Sequence, residues 1–322
     1  MKLSTDRLRG MVWGAFLGDA AGLGTHWIYN LEDLREKYPE GVGGFEEPRP
    51  GHYHAGKEPG AFTHYGDAYL LLLESIAEEG GFDPGLFGQR FVERMAPGVY
   101  DGYVDSATRG TVENYRDWKD RHPGEPYDFQ NGADDDQLAT ATSLPALAVR
   151  YAGTANWLER VEDLARVRQN NGRAIAYART QADLLGELLQ GTDLHSALHR
   201  VEERAGKDPD FGPELLRRFR DAFERKHLSM ERATGELGQA CPLISSFPAA
   251  LHALLREPED FRACITGILA AGGDNAGRAS LAGGCLGAHL GEAALPPAWK
   301  ERVQARDRIE RALEAILAAR DA

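Results

Sequence analysis

The chain is poor in cysteine, in strand-like alternation and in positive charge, and each shortage removes a class of protein. Three cysteines in 322 residues, Cys241, Cys264 and Cys285, form no C-x-x-C pair. That excludes a disulfide-framed secreted scaffold and a thiolate zinc ribbon, and predicts reduced thiols in a cytoplasmic protein. Lys and Arg number 37 against 50 Asp and Glu, a net charge of −13. Neither a generic nucleic-acid binder nor an anionic-membrane binder carries such a balance, so no nucleic-acid or membrane partner is expected. The opening MKLSTDRLRGMVWGAFLGDAAGLG is too glycine-rich, and too interrupted by Asp19, for a signal or spanning segment. No G-x-G-x-x-G follows a strand, and no P-loop, G-x-S-x-G or standard zinc spacing occurs. Alternating β-branched runs are almost absent.

What remains is helical periodicity. DAYLLLLESIAEE, DQLATATSLPALAVRYA, RAIAYARTQADLLGELLQ and WKERVQARDRIERALEAILAA carry apolar residues three and four apart. Thr5, Thr192-Asp193 and Pro258 mark helix starts. The stretch from Tyr38 to Phe62 is rich in glycine and proline and is expected to be a functional loop packed on the surface. With no long linker, the chain reads as one compact all-α domain over residues 1–322.

Glycine is placed with a period. Gly10, Gly14, Gly18 and Gly22 recur every four residues near the start, and Gly283, Gly287 and Gly291 near the end. Such spacing keeps each set on one helix face. An interior glycine costs about 1 kcal/mol relative to alanine, so both stripes predict close backbone packing, the two helices against each other.

The chemistry-bearing residues lie beside these stripes and at helix starts. Asp19 sits mid-helix, where a buried carboxylate needs donors, and reads first as a structural pin. Asp274 follows Gly272-Gly273 and reads as an N-cap; Asp67 and Asp134 to Asp136 read as acids at two further helix starts. His26, His52, His54 and His64 crowd one region, and imidazole with Asp67 is an ordinary ligand set, although the spacing matches no zinc pattern.

Three stretches in order resemble the ADP-ribosylglycohydrolases. GAFLGDAAGLGTHW is similar to that family's first signature. FTHYGDAYLL sits where the family carries Thr-Asp-Asp-Thr before a helix. LAAGGDNAGRASLAGGCLGAHLG is similar to its closing Gly-Gly-Asp-x-Asp-Thr helix, and QNNGRAIAYA takes the place of a histidine-bearing helix. The resemblance implies an all-α fold and a pair of Mg²⁺ or Mn²⁺ ions held by those motifs. Set against the motifs, the first reads Tyr65-Gly66-Asp67 and the second Asp274-Asn275-Ala276-Gly277, as in the branch with the jellyfish lens J-crystallins. The histidine region reads Asn170-Asn171, and His26 replaces an acid.

The resemblance therefore implies a glycoside hydrolase acting on ADP-ribose or a related nucleotide conjugate. Asp67 and Asp274 are its expected catalytic carboxylates and the ligands of at most one Mg²⁺, since two hard cations need more anionic oxygens. His26, His64, Tyr65, Asp135, Asn171, Asn275 and Arg278 are expected to shape the substrate site, Arg278 by meeting a phosphate. Asp134 to Asp136 would replace lost carboxylates if they face the same cleft. A non-catalytic binding or structural protein of the same fold is the alternative. A third reading is a hydrolase with a mononuclear, histidine-containing site.

Overall fold

A computed structural model describes residues 3–321. Among them, sixteen α-helices and two short 3₁₀ turns make up the regular structure, and no strand is formed beyond isolated bridges. Among the described residues, no helix is long and apolar enough to cross a membrane.

The two glycine-striped helices, Thr5–Gly22 and Asn275–Leu290, lie against each other at the centre, buried along nearly their whole lengths. Their stripes interlock. A Cβ on Gly14 would fall on the Gly283 carbonyl, one on Gly18 on the Ala279 carbonyl, and one on Gly287 on the Gly10 carbonyl. At Gly22 the added atom would stand 2.8 Å from the Ala276 Cα. The missing side chains let two backbones touch, which answers the conformational cost of the stripes. Phe16, Leu17, Leu281 and Leu286 close the apolar core beside the seam.

Helix starts follow local chemistry. Ser4, rather than Thr5, caps the first helix. Thr63 caps His64–Glu79, Asp105 caps Ser106–Arg121 and Asn171 caps Gly172–Leu189, each through its side-chain oxygen.

The expected helix start at Asp134 to Asp136 is not formed. Residues 131–140 are irregular, and the helix begins only at Leu144, with proline in its first turn. The three acids serve other partners. Asp135 accepts from the backbone N–H of Gln137 at 2.9 Å, Asp134 accepts from the Asn171 amide at 2.6 Å, and Asp136 pairs with Arg173 at 2.9 Å. An Asx turn competes with helix here, which is why three acids in a row mimicked a cap.

Candidate active site beside a buried histidine cluster

The site is assembled where the segment after the first helix meets the turn before the last glycine helix. Trp27 N–H donates to the Gly273 carbonyl and Gly273 N–H to the Ile28 carbonyl, both at 2.8 Å. Gly272 and Gly273 are both left-handed, with φ +67°, and a Cβ on Gly273 would press on Gln239 at 2.6 Å. Only glycine fits such a turn at that distance. Trp27 is itself left-handed, at φ 61°. Its strain is held by the bridge and by its indole N–H, which donates to Cys241 Sγ at 3.3 Å.

This turn fixes Asp274 at the N-cap of its helix, but the carboxylate makes no capping hydrogen bond. It faces inward instead. Tyr65 OH donates to Oδ2 at 3.4 Å, and His26 Nδ1 lies 3.6 Å from Oδ1. All three side chains are fully buried. Burial raises the Asp274 carboxyl above the usual carboxylate range, with Arg278 opposing the shift, and raises the Tyr65 phenol.

His26, His54 and His64 converge beside this group, with ligand nitrogens within 4.8 Å of one another. They come from three places: the bridge segment, the long glycine- and proline-rich loop, and the first residue of the His64–Glu79 helix. Each is at most 1% exposed. Burial and the neighbouring imidazoles hold His26 and His54 well below the usual histidine range, hence neutral. Asp105 Oδ2 stands 3.2 Å from His64 Nε2, and the Asp105 carboxyl is depressed by His64 and by Thr108, against its burial. His52 turns away and bonds to the His26 carbonyl at 2.7 Å.

Over the cluster opens a cleft of about 420 Å³. Trp27, Tyr53 and Tyr103 wall it with mutually edge-on rings, their centroids 4.8–5.2 Å apart. Arg109 lies over the Tyr103 ring at 5.6 Å. Asp135, Asp136 and Cys241 line the cleft as well. Asp135 Oδ2 accepts from Ser106 Oγ at 2.7 Å and from the Gln137 amide at 2.8 Å.

The expected residues are thus divided. His26, His64, Tyr65 and Asp274 are brought together, and Asp135 lines the cleft next to them. Asp67 belongs elsewhere. Its Oδ2 accepts from Lys57 Nζ at 2.7 Å and from Tyr100 OH, and it lines a different, larger cleft of about 630 Å³. That cleft is edged by surface ion pairs such as Arg90 with Glu78 and Arg308 with Glu74. The two carboxylates expected to share one ion are therefore found in different surroundings. The reason is register: Thr63 is the helix-capping threonine, so the two side chains after it, His64 and Tyr65, face Asp274, and Asp67 emerges nearly a turn later.

Three other expected residues hold the scaffold. Asn275 donates to Thr25 Oγ1 at 2.9 Å and to the Thr25 and Leu269 carbonyls at 3.2 Å. Arg278 is buried, donating to the Gln239 carbonyl at 3.1 Å and to the Gly272 carbonyl. Asn171 caps its helix and bonds to Asp134. Asp19 is the expected pin: it accepts from the Thr63 N–H at 2.9 Å and from the Thr63 hydroxyl, and a Cβ on Gly66 would strike its carboxylate.

Trp27, Tyr53, Tyr103, Asp105 and Arg109 were not expected at the site. Asp105 carried a readable sign, a cap before SATRG, but nothing local marked its second oxygen for His64.

The chain is similar over most of its length to proteins of known name. Crystallin J1A of Tripedalia cystophora is 26% identical, with 92% of each chain covered. Crystallin J1B of the same animal is 24% identical, covering 97% of this chain and 96% of its own. The ADP-ribosylhydrolase ARH3 of Gallus gallus is 23% identical, covering 93% and 89%. A solved ADP-ribosylglycohydrolase-related protein complex matches the fold with a TM-score of 0.73 over 98% of each chain, at 23% identity. The model of the ADP-ribosylglycohydrolase family matches residues 2–322, and the chain belongs to that family.

Proposed function

We propose that this chain binds ADP-ribose or a related nucleotide conjugate in the cleft under Trp27, Tyr53 and Tyr103, and hydrolyses its glycosidic bond. The observation that carries the reading is the composition of that one cleft: four aromatic rings, one guanidinium and three carboxylates around a space of about 420 Å³. Flat rings stack a base and Arg109 meets a phosphate. Family membership and the whole-length similarity to an ADP-ribosylhydrolase support the same substrate class.

A magnesium or manganese pair does not fit the donors around Asp274. Hard dications take about six oxygen ligands each, several of them anionic. Here the neighbours are imidazole nitrogens and a phenol, and Arg278 already opposes the Asp274 charge. The reaction is therefore assigned to the cleft's own carboxylates. Asp135, held by Ser106 and Gln137, takes a proton from a water that attacks the ribose C1 carbon as the glycosidic bond breaks, and that proton passes on to the departing oxygen or nitrogen. Asp136, beside it, stabilises the positive charge that develops on the sugar. Asp67, tied to Lys57 and Tyr100, and Asp274, sealed beneath Trp27, act at a distance from the reacting atoms.

The test is turnover of an ADP-ribosylated peptide in the presence of a chelator, alongside ADP-ribose binding by thermal shift. Asp135→Asn should lower kcat about 100-fold or more with little change in KM, the size of a lost general base. Binding without turnover in the unaltered protein would favour the non-catalytic alternative. Absence of ADP-ribose binding, or turnover that requires Mg²⁺, would overturn the reading.

A further inference from the structure

We propose that His26, His54 and His64 form a mononuclear site for a borderline transition-metal dication of the Zn²⁺ class, in place of a hard-ion site. The cluster is built, not incidental. Five features converge on it.

The three imidazoles come from three segments that are each tied down. His26 sits beside the Ile28–Gly273 bridge, and His64 follows Thr63, which the Asp19 carboxylate clamps. His54 lies in a turn whose backbone bonds run from Ala55 to the His52 carbonyl at 3.0 Å and from Lys57 to the His54 carbonyl at 3.1 Å. The rings are fully enclosed, yet His26 Nε2, both nitrogens of His54 and both nitrogens of His64 have no hydrogen-bond partner. A buried polar atom left unpaired is costly. Five such atoms in one pocket need a common partner.

Carboxylates stand behind two of the three rings. Asp105 Oδ2 faces His64 Nε2 at 3.2 Å, so the proton belongs there and the Nδ1 lone pair is free. His26 Nδ1 accepts from the Ala276 N–H at 3.4 Å and lies 3.6 Å from Asp274 Oδ1, so ligation through Nε2 moves the ring proton to Nδ1, towards that carboxylate. A carboxylate behind a ligating histidine is the usual second rank of a metal site. Finally, the separations suit the ion. A tetrahedral ion with bonds of about 2.0–2.1 Å holds its nitrogens about 3.4 Å apart. Ligand atoms already within 4.8 Å reach that spacing by small ring rotations. Imidazole suits Zn²⁺, Cu²⁺, Fe²⁺ and Ni²⁺, whereas Mg²⁺ and Ca²⁺ select oxygen.

The site is independent of the proposed hydrolysis and is tested without substrate. Metal-stripped full-length protein is titrated with Co²⁺, followed by its visible absorption, then challenged with Zn²⁺ and separately with a large excess of Mg²⁺. One equivalent of tetrahedral Co²⁺ per chain, displaced by Zn²⁺ and not by Mg²⁺, is the expected result. His54→Gln should abolish stoichiometric binding, and His195→Gln, on a distant helix, should leave it intact. Asp105→Asn, which keeps a capping oxygen for the Ser106–Arg121 helix and removes the charge behind His64, should weaken binding by about 10–100-fold. The titration of the unaltered protein decides the matter even if a variant fails to fold. No stoichiometric binding, displacement by Mg²⁺, or unchanged binding in folded His54→Gln would overturn the proposal.

Discussion

Replacing Gly14 by alanine should destabilise the protein, although alanine is the better helix former. Gly14 lies inside the Thr5–Gly22 helix, and its Cα faces the Gly283 carbonyl on the partner helix. A Cβ there would overlap that oxygen and stand 2.8 Å from the Gly283 carbonyl carbon. Both obstacles are backbone, so no rotamer relieves them. The helices must part by roughly 1 Å, opening the tightly packed layer around Phe16 and Leu17. Overpacking of this kind costs about 1–3 kcal/mol, and here the upper part of that range applies because the obstacle is rigid. The helix-propensity gain returns about 1 kcal/mol. The net expectation is a loss of about 2 kcal/mol. Gly186 supplies the control. It lies inside the Gly172–Leu189 helix, half-buried, with nothing within 4 Å of an added Cβ. Gly186→Ala should therefore stabilise by up to about 1 kcal/mol. Urea unfolding of both variants by circular dichroism, compared through midpoints at constant slope, measures the difference. If Gly14→Ala were as stabilising as Gly186→Ala, the argument that these glycines exist for backbone contact would be wrong.

Asp19 should give the fold a pH dependence of defined sign. Burial pushes its carboxyl up to about 6, above the unfolded value near 3.9, so the folded state holds the proton more tightly. The stabilisation is complete below about pH 4 and lost as pH rises through 6, a change of about 3 kcal/mol relative to Asp19→Asn. A stability difference between the two proteins that stays flat from pH 4 to pH 7 would contradict it. Asn275→Ala should remove the bonds to Thr25 and Leu269, leaving buried acceptors without a donor, and cost about 1–3 kcal/mol by thermal unfolding. An unchanged melting temperature would mean that this amide does not lock the helix start.

The glycine seam was legible because its cause is local and periodic. A four-residue repeat on a helix admits few explanations, and the strongest, backbone against backbone, is what Gly14 and Gly283 do. Asp19 was legible for a similar reason, since a carboxylate in an apolar, glycine-lined helix has to be paired, and Thr63 pairs it. Asp134 to Asp136 were misread because Asx turns and helix caps use the same side chains. Only the Gln137 amide and Arg173, placed by the fold, decide between them. Asp67 lines a different cleft through register. A capping threonine shifts every following position by its own placement, and Tyr65-Gly66-Asp67 gives no local hint that Thr63 is the cap.

The histidines show where spacing ceases to inform. Residues 26, 54 and 64 share no helical or strand period, and the visible pair was His52 with His54. The fold gives that pair different partners, sending the His52 ring to the His26 carbonyl and His54 into the cluster. With the carboxylates accounted for one by one, the altered motif is better understood as a change of donor than as a loss of donors. Where the resemblance led one to look for anionic oxygens opposite Asp274, the chain places His64, Tyr65 and His26, and it sets Arg278 beside the remaining charge. An added cation near Arg278 is repelled unless its ligands are strong for their charge. Neutral imidazole meets that condition for Zn²⁺-class ions and not for Mg²⁺, because the bond to nitrogen gains more for the softer ion. The same burial that keeps His26 and His54 neutral removes the oxygen-rich, wet surroundings that a hard ion requires. On this reading the substitutions are mutually consistent: each step away from the family's acids lowers the affinity for a hard pair and raises it for one borderline ion.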